Sequence, residues 1–205
     1  MDRFRSGTGL SPIRQTEAYW TALRDGQDVP FRSQIDPRGL EQVLEYAFVL
    51  ERVAPGIARF RLAGQHLCAL AGMEVRGMPL TAFFTPGARP QICAVLEHVF
   101  DTPAVAELAL EGERHSFGCA CEARMLLLPL KSDLGKKDRA LGVLIAEGDT
   151  GRTPRRFDVA KCDLRNLSKT APTRARSDEK VHGFAETQAV LGGRAPHLRL
   201  VKSGQ

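Results

Sequence analysis

The chain has 205 residues, 43% of them hydrophobic, with five cysteines and a formal net charge of +5. That length allows one domain with extensions or two small domains, and the composition supports one real core. No apolar run approaches the roughly 20 residues of a membrane span, the first residues lack a signal-peptide core, and the cysteines are odd in number with no C-x-x-C pair, so a cytoplasmic protein with reduced thiols is expected.

Thr16 to Arg24 reads as a short amphipathic helix capped by Thr16 and ended by Gly26, with Tyr19, Trp20 and Leu23 on one face. Val29 to Arg32 is extended. Asp36 suits the N-cap and Pro37 the first turn of a second helix, which points Leu40, Val43 and Leu44 inward. Ala47–Val53 and Ala58–Leu62 are strands joined by a Pro55-Gly56 turn, and the second alternates Arg59 and Arg61 with Phe60 and Leu62, half buried and half wet. Gln65 to Ala71 fits a two-turn helix stopped by Gly72. Ala88 to Phe100 is a longer helix with an apolar stripe of Ile92, Val95, Leu96 and Val99.

Three strands follow. Ala104–Leu110 extends to about Arg114; Cys119–Leu130 and Leu141–Glu147 form a hairpin across the turn Ser132–Asp138. Pro129 places the end of its strand at an edge or a bulge. The fold class is α+β: a five-stranded antiparallel sheet flanked by helices, with an N-terminal helix and a basic flexible C-terminal tail. The expected organisation is a flexible N-terminus at 1–15, a domain at 16–149 and a basic, flexible tail at 150–205. Residues 1–149 hold 17 Lys/Arg against 19 Asp/Glu, whereas residues 150–205 hold 12 against 5. Such a tail is more often solvated than functional, but it carries the alternative reading, a nucleic-acid-binding regulator. Phe157 and Phe184 give it no interleaved aromatic pattern, which ranks that alternative second.

The order of elements resembles that of a PAS domain. In particular, the chain resembles the alphaproteobacterial PAS family once catalogued as a domain of unknown function, DUF1388, the PAS_5 family. The resemblance rests on Trp20, Leu23, Arg24 and Gly26, then on Pro30, Arg32, Ile35, Asp36 and Pro37. It continues through Phe48, Leu50, Glu51, Pro55, Gly56 and the run Phe60 to Gly64, then Gly72, Glu74, Arg76, Gly77 and Leu80. Leu126 to Leu130, Leu141-Gly142 and the terminal Leu198 to Val201 complete it. It implies a sensory, regulatory domain that acts in signal transduction through protein–protein interaction and has no enzymatic output of its own. With no adjoining kinase, cyclase or helix-turn-helix region, output is expected to pass through a signalling protein partner.

A haem would need an axial histidine facing an apolar pocket; His98 sits at the margin of its helix stripe and His66 on the short helix, and both read as partly exposed surface residues. A flavin photosite would need a reactive cysteine in an Asn-Cys-Arg context, and Cys68 stands in His-Leu-Cys-Ala-Leu. Neither haem nor flavin is expected, and no cofactor is required. His115, Cys119 and Cys121 lack a fourth zinc ligand, so inward-packed thiols are the preferred reading. No catalytic motif and no acid/base pair is present, so no catalytic residue and no metal ligand is assigned, and a cofactor-binding residue is unknown. Arg59 and Arg61 could present a guanidinium pair to an acidic partner, against the plainer reading of a solvated sheet face. A homodimer anchored by Tyr19 and Trp20, and tuning by a small apolar ligand between sheet and helices, complete the expectations.

Overall fold

A computed structural model describes residues 11–24, 26, 28–113, 121–148 and 153–167. Helix α1 (Pro12–Arg24) precedes a 3-10 turn at Arg32–Gln34 and a 3-10 helix at Pro37–Val43. Strands β1 (Ala47–Ala54) and β2 (Ile57–Ala63) form a hairpin, followed by α2 (Gln65–Ala71), a 3-10 turn at Leu80–Phe83 and α3 (Arg89–Asp101). Strands β3 (Ala104–Gly112), β4 (Glu122–Leu130), β5 (Arg139–Glu147) and β6 (Phe157–Asn166) close the chain. All pairings are antiparallel, in the order β2-β1-β5-β4-β3-β6. The architecture is the expected α+β layout with helices inserted between β2 and β3. No helix of the described residues is long and apolar enough to cross a membrane.

The strand count is corrected from five to six. The extra strand lies within 150–205, the segment read as a flexible tail, and it pairs with β3 along its whole length. Its backbone completes the hydrogen bonding of β3, a contribution that side-chain composition does not advertise. Helix α1 also starts one turn earlier than expected. Thr16 is therefore inside it, its hydroxyl donating to the Pro12 carbonyl at 2.9 Å instead of capping. Residues 1–10 and 168–205, including the terminal Leu198 to Val201 motif, lie outside the described residues.

The local rules that shaped the other elements hold. Asp36 caps the 3-10 helix, its side chain accepting from the Arg38 N–H at 2.9 Å. Gly72 ends α2 in the left-handed region at φ 71°, its N–H donating to the Ala69 and Cys68 carbonyls. Pro129 sits where β4 runs past the end of its pairing with β3, so its missing N–H leaves no ladder bond unmade there.

The sheet separates two cores. On the helix side, Phe48 and Phe60 of the hairpin meet Phe83, Leu67, Leu96 and Phe157, all buried. Phe48–Phe60 and Phe60–Phe83 stack edge to face with ring centroids 5.4 Å apart in both pairs. On the outer side, Ile13 and Trp20 of α1 and Leu40 and Val43 of the 3-10 helix cover Leu126, Leu128 and Val143. Trp20 is 1% exposed, and its Nε1 donates to the Pro129 carbonyl at 3.0 Å. That corrects its expected role as a dimer anchor: the indole is consumed within its own chain. Tyr19 packs at the margin of the same core, and its hydroxyl accepts from the Asp36 N–H at 2.8 Å.

Candidate functional site

The space between sheet and helices, where a ligand was expected, is occupied by side chains. Phe48, Phe60, Leu67, Leu80, Ile92 and Leu96 are all essentially inaccessible there. The Phe48 ring lies over Gly142 so closely that a Cβ at 142 would overlap it.

Openings lie elsewhere. Helix α1 and the 3-10 helix cover the β4–β5 part of the outer face, while the β1–β2 part stays partly open. A cavity of about 160 Å³ lies there, its lining including Ile35, Pro37, Leu40, Leu44, Val49 and Leu62 together with Arg32. Leu62 is 52% exposed and Leu44 42%. A bulge creates this exposure: Leu50 pairs with Phe60 but Val49 with Leu62, so Arg61 is the extra residue and Leu62 returns to the outer face. β2 ends the strand order, and its outer side is partly covered: the Phe60 N–H donates to the Met78 carbonyl at 3.0 Å and the Phe60 carbonyl accepts from the Gly77 N–H at 2.8 Å.

The guanidinium pair that Arg59 and Arg61 could present is not formed by two free side chains. Arg61 is ion-paired with Glu51, which also takes Arg139 at 2.6 Å. Arg59 lies opposite Glu51 in the strand register. One carboxylate thus offsets much of the charge along this face. At the helix end of the hairpin, Arg52 grips Asp101 through two contacts of 2.5 and 2.9 Å, which holds the Asp101 carboxyl below its ordinary range.

His66 and His98 are each engaged in the protein's own structure. His66 of α2 accepts from the Ala146 N–H at Nε2, 3.1 Å away, and meets Tyr46 edge-on at 5.0 Å. His98 of α3 pairs with Asn166 of β6 at 2.9 Å. Burial lowers the His66 pKa, opposed by the nearby Glu45 carboxylate. The sign is therefore that of a histidine folded in its neutral form: the unfolded chain binds the proton more tightly, so stability falls as pH drops below about 6.5 and is level above it. Thermal melts between pH 7.5 and 5.5 should show this loss, and His66→Gln, which keeps an acceptor but does not titrate, should flatten it. An equal slope in the variant would assign the loss to other groups.

Cys68 packs half-buried against the helix-side core. Cys121 is buried on the sheet; its proposed metal companions His115 and Cys119 lie outside the described residues. Among the described residues, no three His, Cys, Asp or Glu side chains gather as a metal site. Sequence reasoning missed the open outer cavity, because only the bulge at Arg61 turns Leu62 outward.

A family model described as a PAS domain, PAS_5, matches residues 10–145. The chain belongs to the PAS_5 family of PAS domains. Membership brings a sensory or regulatory role, and this PAS domain carries β6 beyond the matched span. No curated protein matches the chain. Among solved structures, a light-oxygen-voltage domain studied with a flavin analogue is 18% identical, with 55% of this chain and 84% of that one covered at a TM-score of 0.40. The LOV protein of Rhodobacter sphaeroides is 13% identical over 57% of this chain and 71% of its own, TM-score 0.39. A PAS domain from Colwellia psychrerythraea is 15% identical over 57% of this chain and 98% of its own, TM-score 0.36. At these scores the likenesses carry no argument about ligand or activity.

Proposed function

We propose that this PAS domain is a cytoplasmic regulatory module that works by reversible contact with a signalling protein and has no catalytic step of its own. The open β1–β2 part of the outer sheet face is the contact surface. The observation that carries this is the apolar cavity flanked by exposed Leu44 and Leu62. Arg32 at the cavity and Arg59 on the neighbouring strand fit a partner that offers an apolar side chain flanked by carboxylates. Homodimerisation belongs to the same reading and would use this face, since Trp20 is committed to its own chain. A small apolar ligand that tunes the contact has its room in this outer cavity.

Leu62→Asp tests the surface without touching either core. The variant should keep its melting temperature within a few degrees and weaken binding to a partner, reconstituted from purified components, by tenfold or more. Unchanged affinity would overturn the placement of the surface. Native mass spectrometry of the free protein reads the homodimer directly, as a doubled mass that Leu62→Asp removes. The nucleic-acid alternative draws no support from β6: Lys161 is held by Asp163 and Arg165 by Glu17, both at 2.7 Å, which occupies two of the basic residues it would use.

A further inference from the structure

Before it enters the sheet, the chain ahead of β6 crosses the helix side of the domain. Thr153 lies against Gly72 at the end of α2, where an added Cβ would stand 2.6 Å from the Thr153 hydroxyl. The Arg155 N–H donates to the Leu70 carbonyl at 2.8 Å, and the Phe157 carbonyl accepts from the Thr85 N–H at 3.0 Å. This crossing carries Arg155 inward until only 6% of it is exposed.

Among the described residues the buried guanidinium has no matching anion. It rests against Gly112, where a Cβ would approach Nη2 to 2.7 Å and Nε to 2.8 Å. Among the described residues no acceptor reaches Nε, and no carboxylate pairs with Arg155. A buried cation without a counter-charge is costly, and most buried polar groups of native proteins are satisfied. Arg155 also lines a cavity of about 130 Å³, together with Arg89, Arg156, Met73, Met78 and Phe83. Three arginines lining one small cavity favour an anion, and Met73, Met78 and Phe83 beside them favour an anion with an apolar body.

We propose that this cavity binds a small organic monocarboxylate. The carboxylate takes the N–H groups of Arg155, with Arg89 and Arg156 adding positive charge at the rim, and the short apolar chain lies among Met73, Met78 and Phe83. A fork of parallel N–H bonds suits a carboxylate, and the volume admits only a few heavy atoms. The site lies on the opposite side of the sheet from the partner surface, goes beyond the regulatory reading and stands without it.

Sodium butyrate, titrated against sodium chloride at matched ionic strength, is the probe. In protein labelled at its methionine methyl groups, butyrate should move the Met73 and Met78 signals saturably and leave Met125, in the core, where it was. Arg155→Met should weaken the apparent affinity at least tenfold while the variant stays folded, because it removes an unpaired buried charge. Arg89→Gln should weaken it several-fold. Signals that follow chloride equally would overturn the site, as would signals that do not saturate or that respond unchanged in Arg155→Met. Saturation by inorganic phosphate with no response to butyrate would overturn the carboxylate class. The methyl shifts of the wild-type protein decide the matter even where a variant fails to fold.

Discussion

Trp20→Ala should lower the unfolding free energy by about 3–5 kcal/mol, the range for truncating a fully buried large aromatic residue. The side chain is 1% exposed, lies among Ile13, Leu128 and Leu130 in the outer core, and donates its indole N–H to Pro129. Truncation opens a cavity and leaves a carbonyl beneath α1 without its donor. Urea unfolding measures the loss. Hydrogen exchange should locate it, with α1 amides losing protection more than those of α3. A loss below about 1 kcal/mol, with α1 still protected, would mean that the helix is held by its other contacts and that the outer core is less continuous than described.

Gly142→Ala should cost about 3 kcal/mol, at the upper end for overpacking a tight core. The added methyl group would occupy the space of the Phe48 ring, which is itself wedged edge-on against Phe60. The cause is testable by rescue. Phe48→Leu in the Gly142→Ala background should recover about 1 kcal/mol or more relative to the sum of the single effects, because the two positions face each other across β1 and β5. Additive losses would show that the penalty comes from backbone strain in β5 and not from the ring.

These two sites also mark what the sequence makes legible. Period-2 and helical stripes identified β1 to β5 and all three α-helices, because each buries one face against a core and its apolar residues must follow the geometry of the element. Pro55-Gly56 and Gly72 were legible for a local reason: each marks a turn or helix end with its own backbone demands, with Gly56 at φ 66° and Gly72 at φ 71°.

β6 was not legible, and its own geometry explains why. Phe157 and Val159 keep the alternation, but Ala160 is an extra residue opposite the Ala109/Leu110 step, so the next inward position is Cys162. The bulge breaks the phase that a period-2 reading depends on, and most of the strand is exposed. The Arg155 cavity was hidden differently. In the sequence, Arg155 and Arg156 look like part of a solvated basic run, and only the crossing over Leu70 shows that one of them is buried. The open outer cavity depends likewise on the bulge at Arg61, which no composition signal announces.

The end of β6 returns to the first helix. Arg165 reaches Glu17 at 2.7 Å, and Leu167 packs against the same core as Ile13 and Trp20. The polypeptide therefore enters and leaves the domain on one side. A fluorophore, tether or fused module placed just before residue 11 or just after residue 167 would project from that side, and a surface anchored through both attachments would leave the arginine-lined side facing solution. Pulling on the two attachments would load the Glu17–Arg165 contact and the seat of α1 first, before any strand of the β2-to-β4 sheet bore force.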